Sequence, residues 1–369
     1  NYKQIHGYSG NEQWPLPILA AKSDQANRKD QGNKTLANEW LDSKDVIKQK
    51  MKVVAKLIKD SKHCIAYTGA GLSRASGIPD YATKAANSIS TTKKISSNYA
   101  AQPTFSHRVL TAIEKAGYLK HYVQQNHDGL PQKSGFPQHK MNEIHGAWFD
   151  PSNPVVKFSG SLRGDLYQQM EEEEEQADLC LCLGTSLSGM NADRMANTPA
   201  EKMLKQKALG TVIINLQQTP LDDKCAIRVW GVLDEAMAML ADELGLKIDQ
   251  QSLAPKIDPK YDNKFLIPYD ENGLLSKTKK MYLNLKPGQQ IKIAPKEASN
   301  YKKVGNVVKQ TESGDYLIKL DGNQLNKHLG RWWIIEAMQG LVPYIPIINT
   351  NPEFVQNDVQ VEHLKNQKK

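Results

Sequence analysis

Cysteine is scarce in this chain and poorly spaced for metal or disulfide chemistry. The four residues, Cys64, Cys180, Cys182 and Cys225, form no Cys-x-x-Cys pair. No zinc site and no disulfide framework is therefore expected, and a reducing intracellular compartment (nucleus, cytoplasm or cilium) is. Long apolar runs are also missing. None approaches the roughly 18 residues that a bilayer-spanning helix needs, so no membrane segment is expected. The opening NYKQIHGYSGNEQW lacks the apolar core of a signal peptide, and it starts at Asn1 rather than Met, which leaves the true start open. Charge of one sign does not dominate. Lys and Arg number 48 against 40 Asp and Glu, a net +8. The surplus is scattered, HLKNQKK reads as a solvated tail, and nucleic acid is a weakly supported partner. What is present is 39% apolar content over 369 residues, enough for one large domain and a smaller one.

Residues 1–40 are polar and irregular and read as an extended N-terminal arm. Behind the candidate N-cap Ser43, Val46, Ile47, Met51, Val54, Leu57 and Ile58 repeat with helical spacing. CIAY follows as a buried strand. Helices are expected at HRVLTAIEKAG, LYQQMEEEEEQA, PAEKMLKQKAL and LDEAMAMLADELGL. Strands are expected at YLKHYVQQN, LCLCL, TVIIN and AIRVWG. Short apolar strands alternating with helices imply an α/β fold, a doubly wound parallel sheet over 41–248. Ligands bind such sheets beyond the carboxyl ends of the strands. The tips carry Thr68 to Gly71, Gln125 to Asp128, Gly184 to Ser186, and Asn215.

Residues 249–279 read as a surface linker. From 280 to 345, MYLNLKPGQQIKIAP, KKVGNVVKQTESGDYLIKLDG and GRWWII alternate around turn signals, predicting four or five antiparallel strands in a small SH3-like or Tudor-like all-β domain. Residues 346–369 form a C-terminal tail. Trp332 and Trp333 are assigned to the core and an interface in preference to an aromatic cage. Glu171 to Glu175 read as a solvated helix face, because five adjacent carboxylates cannot point one way. Cys180 and Cys182 read as small core residues.

Gly69 and Gly71, directly after a buried strand, let the backbone turn tightly and approach a pyrophosphate. A glycine turn alone is weak evidence. Here TGAGLSRASGIPDY is followed in order by QQNHDGL, EIHG, LCLGTSL, VIINLQ and GVLD. Over about residues 43–247 this series resembles the sirtuin family of NAD-dependent protein deacylases, most closely its chromatin-associated branch. The resemblance implies a Rossmann-like sirtuin-type domain and NAD as cofactor. It places Gly69, Ala70, Gly71 and Ser73 along the phosphates and nearby ribose, and Ile78 and Asp80 around the nicotinamide carboxamide. Gln125, Asn126 and Asp128 would orient the nicotinamide ribose, and Gly184, Ser186, Asn215 and Val232 would hold the adenosine half. His145 matches the general base, a role suited to a histidine titrating near neutrality. The implied products are free lysine, nicotinamide and O-acyl-ADP-ribose.

Three departures stand out. Ala82 occupies the place of the family's arginine after the IPD-aromatic motif, and Arg74 and Lys84 are the nearby cations. The zinc-ribbon cysteines are absent, implying a reduced small domain and no zinc. The substrate-side strand reads VVKFSGSLR, and Pro131 stands where a histidine often follows the DGL motif. The leading expectation is an NAD-dependent lysine deacylase acting on an acyl-lysine protein, with His145, Asn126 and Asp128 catalytic. The alternatives are a catalytically degenerate subunit of a larger ciliary or chromatin assembly that binds NAD or ADP-ribose, and mono-ADP-ribosyl transfer from the same pocket.

Overall fold

The computed structural model describes residues 5–28, 35–80, 82–90, 92, 94–157, 160–249 and 254–355. Tyr81, the arm residues 1–4 and 29–34, and the tail from 356 onward lie outside the described residues. The chain divides into two units. One comprises Asn1–Phe136, Lys140–Gly146 and Phe158–Ala254; the other comprises Pro137–His139, Ala147–Lys157 and Pro255–Lys369.

The first unit opens with an antiparallel pair, β1 (Ile18–Ala21) and β2 (Glu39–Leu41), so residues 1–40 carry strand structure within the expected arm. Its main sheet contains β3 (Cys64–Thr68), β4 (Leu119–Gln124), β5 (Met141–Glu143), β6 (Leu179–Leu183), β7 (Gly210–Asn215) and β8 (Ile227–Trp230). All neighbours are parallel, in the order β5-β4-β3-β6-β7-β8. The chain runs outward from β3 to β5, then returns to lay β6 beside β3. This reversal opens a crevice at the carboxyl ends of β3 and β6, the doubly wound arrangement the alternating pattern predicts.

Helices cover both faces: α1 (Lys44–Asp60), α2 (Phe105–Lys115), the short α3 (Leu130–Lys133), α4 (Gly164–Gln176), α5 (Arg194–Leu204) and α6 (Leu233–Leu244). The period-2 alternation of LCLCL is visible in the packing. Leu179, Leu181 and Leu183 join the cluster beneath α1, α2 and α6, whereas Cys180 and Cys182 pack with Met170, Met195 and Ala196 on the other face. All four cysteines are free and buried. The helix expected from Pro199 begins earlier, at Arg194, with Pro199 inside it.

α1 is capped as predicted, the Ser43 hydroxyl accepting from the Val46 N–H at 3.3 Å. Its apolar stripe includes Lys50, which is fully buried and ion-paired at 2.6 Å with Asp42, also 0% exposed. Asp42 receives the Trp230 N–H as well, at 2.9 Å, and thereby ties the turn before α1 to β8. Burial pushes the Lys50 ammonium down to about 8, against the pull of Asp42.

The second unit contains β9 (Lys264–Ile267), β10 (Met281–Asn284), β11 (Gln290–Ile293), β12 (Val304–Gln310), β13 (Tyr316–Leu320), β14 (Lys327–Leu329), β15 (Ile347–Asn349) and β16 (Glu353–Phe354). They form two antiparallel sheets, β14-β13-β12-β11-β15 and β16-β10-β9. β9 lies inside 249–279, where a four-residue alternation of Lys264, Phe265, Leu266 and Ile267 is too short to stand out; Phe265 and Ile267 are core residues.

GRWWII is not a strand. It opens α7 (Arg331–Met338), with Gly330 before it and Arg331, Trp332, Trp333, Ile334 and Glu336 all buried. A short apolar run buried on consecutive positions has no period-2 signal, and helix and strand are then indistinguishable from sequence. Both tryptophans are core residues of this unit. Phe149 packs against Trp332, ring centres 5.2 Å apart, and the Glu336 carboxylate accepts the backbone N–H groups of Gln138 and His139. Among the described residues no helix is long and apolar enough to cross a membrane.

Breaking the buried ion pair leaves one charge uncompensated. Lys50→Met alone should cost about 3–5 kcal/mol in urea unfolding. The double variant Lys50→Met/Asp42→Asn should recover most of the loss; a neutral single variant would contradict this assignment.

Candidate functional site

The loops after β3 and β6 lock together through glycine. The Gly69 N–H donates to the Leu183 carbonyl at 3.1 Å and the Gly71 N–H to the Gly184 carbonyl at 2.9 Å. Gly184 has φ +61°, and a Cβ on it would lie 2.6 Å from the Leu72 nitrogen. On Gly71 a Cβ would lie 2.8 Å from the Gly184 oxygen. Glycine is thus required here by loop-on-loop packing, a constraint beyond the phosphate approach read from sequence. Ala70 opens a 3-10 helix, Ala70–Ser76, at the mouth of the crevice.

Ser73 on that helix and Asn126 and Asp128 after β4 form one buried cluster. The Ser73 hydroxyl donates to Asp128 Oδ2 at 2.6 Å, and Asn126 Nδ2 donates to Ser73 Oγ and to the Gly69 carbonyl, each at 3.0 Å. Asp128 Oδ1 accepts the Leu130 N–H at 3.0 Å. Asp128 is 1% exposed, and burial raises its carboxyl above the usual range although Ser73 and the Leu130 N–H pull it down.

Gln125 is held from another side. Its Nε2 donates to the Tyr67 hydroxyl and, at 3.1 Å, to Thr185 Oγ1; the Tyr67 hydroxyl donates to Asp193 Oδ1 at 2.9 Å. Asp193 Oδ2 accepts the N–H groups of Gly189 and Met190 at 2.8 and 2.9 Å, fixing the loop after β6. Thr185 belongs to the strand tip expected from sequence, whereas Tyr67, inside β3, and Asp193, beyond the loop after β6, carry no local sequence signal.

The other expected residues are dispersed around this centre. Ile78 is buried. Asp80 pairs with Arg74 at 2.9 Å and with Lys84 at 3.1 Å, so both cations near Ala82 converge on one carboxylate. Asn215 Nδ2 donates to the Thr185 carbonyl at 3.1 Å, beside the half-buried Ser186. Val232 lies past β8, where its carbonyl accepts the Ala236 N–H at the start of α6.

His145 follows β5 and precedes Gly146, whose φ is +95° and whose carbonyl contacts His127 Nδ1 at 2.8 Å. Burial pushes the His145 imidazole down to about 4, reinforced by the neighbouring His127 and opposed by a hydrogen bond with the Gln125 backbone. It is therefore neutral at physiological pH, but its titration lies below the near-neutral one expected from the sequence, and it is a weaker proton acceptor than that expectation implies.

A glycine-lined crevice at the β3/β6 reversal, a helix opening into it and a set of neutral hydroxyl and amide donors fit a dinucleotide. Among the described residues no group of three or more His, Cys, Asp and Glu side chains is placed to hold a metal ion.

No protein-family model matches the chain. Similarity to named proteins is nonetheless extensive. The chain is 31% identical to the NAD-dependent protein deacetylase SRT1 of Arabidopsis thaliana over 254 residues, 57% of this chain and 52% of that protein. It is 29% identical to NAD-dependent protein deacetylase sirtuin-7 of Bos taurus over 282 residues, 63% of this chain and 70% of the relative. It is 28% identical to NAD-dependent protein deacetylase Sirt6 of Drosophila melanogaster, covering 62% of this chain and 85% of that one. The chain spans about half the length of its plant relatives. A solved Sir2–p53 peptide–NAD+ complex matches 53% of this chain and 98% of its own, with 22% identity and a TM-score of 0.46.

The folded imidazole binds its proton more weakly than the unfolded value of 6.5. Its contribution to stability is complete above pH 6.5 and is lost as pH falls toward about 4. An NMR titration of the His145 ring should give a midpoint near 4; a midpoint near 6.5 would contradict the burial argument.

Proposed function

We propose that the chain is a member of the sirtuin family and acts as an NAD-dependent protein-lysine deacylase, in keeping with its similarity to named NAD-dependent protein deacetylases. The observation that carries this reading is the convergence of the Gly69–Gly71 loop, the Ser73–Asn126–Asp128 cluster and the Gly184 loop on one crevice. When bound, NAD would supply the ribose carbon that takes the acyl oxygen, with nicotinamide as the leaving group.

The protein's share of the chemistry follows from its residue types. Ala70, Gly71 and Ser73 would lie along the phosphates, where the amino end of the 3-10 helix favours negative charge. Ile78 and Asp80 would bound the nicotinamide carboxamide. Asn126 and Asp128 would orient the ribose from a preorganised cluster, with Gln125 braced behind them by Tyr67 and Thr185. Gly184, Ser186, Asn215 and Val232 would border the adenosine half. His145, held neutral by burial, would take the proton of a ribose hydroxyl. The substrate would be an acyl-lysine on a protein. Residues 155–157 and 160–163 of VVKFSGSLR are not in a strand. Four free, buried thiols suit a reducing compartment.

A second reading, cofactor binding without turnover in a structural subunit, is favoured by one feature. Ala82 offers no guanidinium, and Asp80 is already shared between Arg74 and Lys84. One experiment separates the two. Purified chain with NAD and an acetyl-lysine peptide should release nicotinamide, and His145→Ala should lower that release at least about 100-fold with NAD binding retained. Binding without histidine-dependent release would support the structural reading and overturn the enzymatic one.

A further inference from the structure

The segment after Asp80 has lost the expected arginine, yet it is tied down at several points. Arg74 projects from the 3-10 helix and is nearly fully buried. Its Nη1 donates to Asp80 Oδ2, and its Nη2 donates to the Ser90 carbonyl and to Thr92 Oγ1, each at 2.9 Å. One planar guanidinium thus spans the segment from its start to its end, a geometry that an ammonium cannot reproduce.

The N-terminal region supplies the remaining ties. Glu39, the first residue of β2, is 2% exposed. Its carboxylate accepts the Ser88 hydroxyl at 2.6 Å and the Ile89 N–H at 2.9 Å. The Asn27 carbonyl accepts the Thr83 N–H at 2.8 Å. Gln217, after β7, donates to the Thr83 carbonyl at 2.9 Å and to the Ala37 carbonyl at 3.5 Å, joining arm and segment to the main sheet. A buried carboxylate satisfied by hydroxyl and backbone donors is expensive to leave unmade, so its bonds specify where the segment lies.

We propose that Arg74 and Glu39 are positioning residues for the cofactor: together they hold residues 82–90 and Thr92 at the crevice in place of the arginine missing at Ala82. The N-terminal arm is thereby a working part of the cofactor site. This rests on the NAD reading above, and the test separates the two.

The measurements are hydrogen exchange of the cofactor-free full chain, calorimetric titration with NAD, and thermal unfolding, on wild type, Arg74→Ala, Glu39→Ala and the conservative pair Arg74→Lys and Glu39→Gln. Both alanine variants should speed exchange within 82–90 and at Thr92 and weaken NAD about tenfold or more, with exchange in the main sheet unchanged. Glu39→Gln should recover most of the affinity and Arg74→Lys only part, since lysine keeps the pair with Asp80 and loses the fork. Should an alanine variant exchange faster everywhere, the conservative pair carries the comparison. Faster loop exchange with unchanged NAD affinity, or unchanged exchange, would overturn the positioning role. Failure of the wild type to bind NAD would overturn the cofactor reading itself, and with it the role assigned here.

Discussion

The interlock of Gly69 and Gly71 with Gly184 is the constraint on which the rest of the site depends. Two loops that start at the same level, after the paired residues Thr68 and Leu183, approach closely enough for the Gly69 and Gly71 N–H groups to donate to the Leu183 and Gly184 carbonyls. A side chain at any of the three positions would meet the opposing backbone. The approach sets the position of the 3-10 helix, hence of Ser73, and through Ser73 the position of Asn126 and Asp128.

Around that interlock the polar groups are organised as linked, buried hydrogen-bond networks. One joins Ser73, Asn126 and Asp128; another joins Gln125, Tyr67, Thr185 and Asp193. Gln125 and Asn126 are sequence neighbours that belong to different networks, so the loop after β4 is fixed from both sides of the crevice. In a site of low dielectric such bonds hold geometry firmly, because leaving any member unpaired carries its full desolvation cost. Arg74 and Glu39 extend the same principle to the segment beyond Asp80.

Much of this was legible in the sequence, for identifiable reasons. Buried parallel strands leave short apolar runs, and the strands at Cys64, Leu179 and Gly210 were found from them. The helix behind Ser43 announced itself by its cap and its period. The ordered motifs mark Ser73, Asn126 and Asp128, which the fold joins in one hydrogen-bonded cluster. Three things were hidden. Trp332 and Trp333 are buried on consecutive helical positions and so carry no period. β9 is too short to rise above a polar background. The partnership of Glu39 with Ser88 and Ile89 joins residues about fifty apart, and pairings of that kind leave no local trace. The meaning of Ala82 was likewise incomplete until Arg74 was seen to reach Ser90 and Thr92.

The account therefore turns on whether the glycine interlock creates a site that binds NAD. The most direct measurement is calorimetric titration of NAD into wild type and Gly184→Ala, with circular dichroism to verify that the variant is folded. The wild type should bind, and the variant should bind at least about tenfold more weakly, since alanine at φ +61° is strained and its Cβ would displace the Leu72 backbone. Equal binding by a folded Gly184→Ala, or none by the wild type, would contradict it.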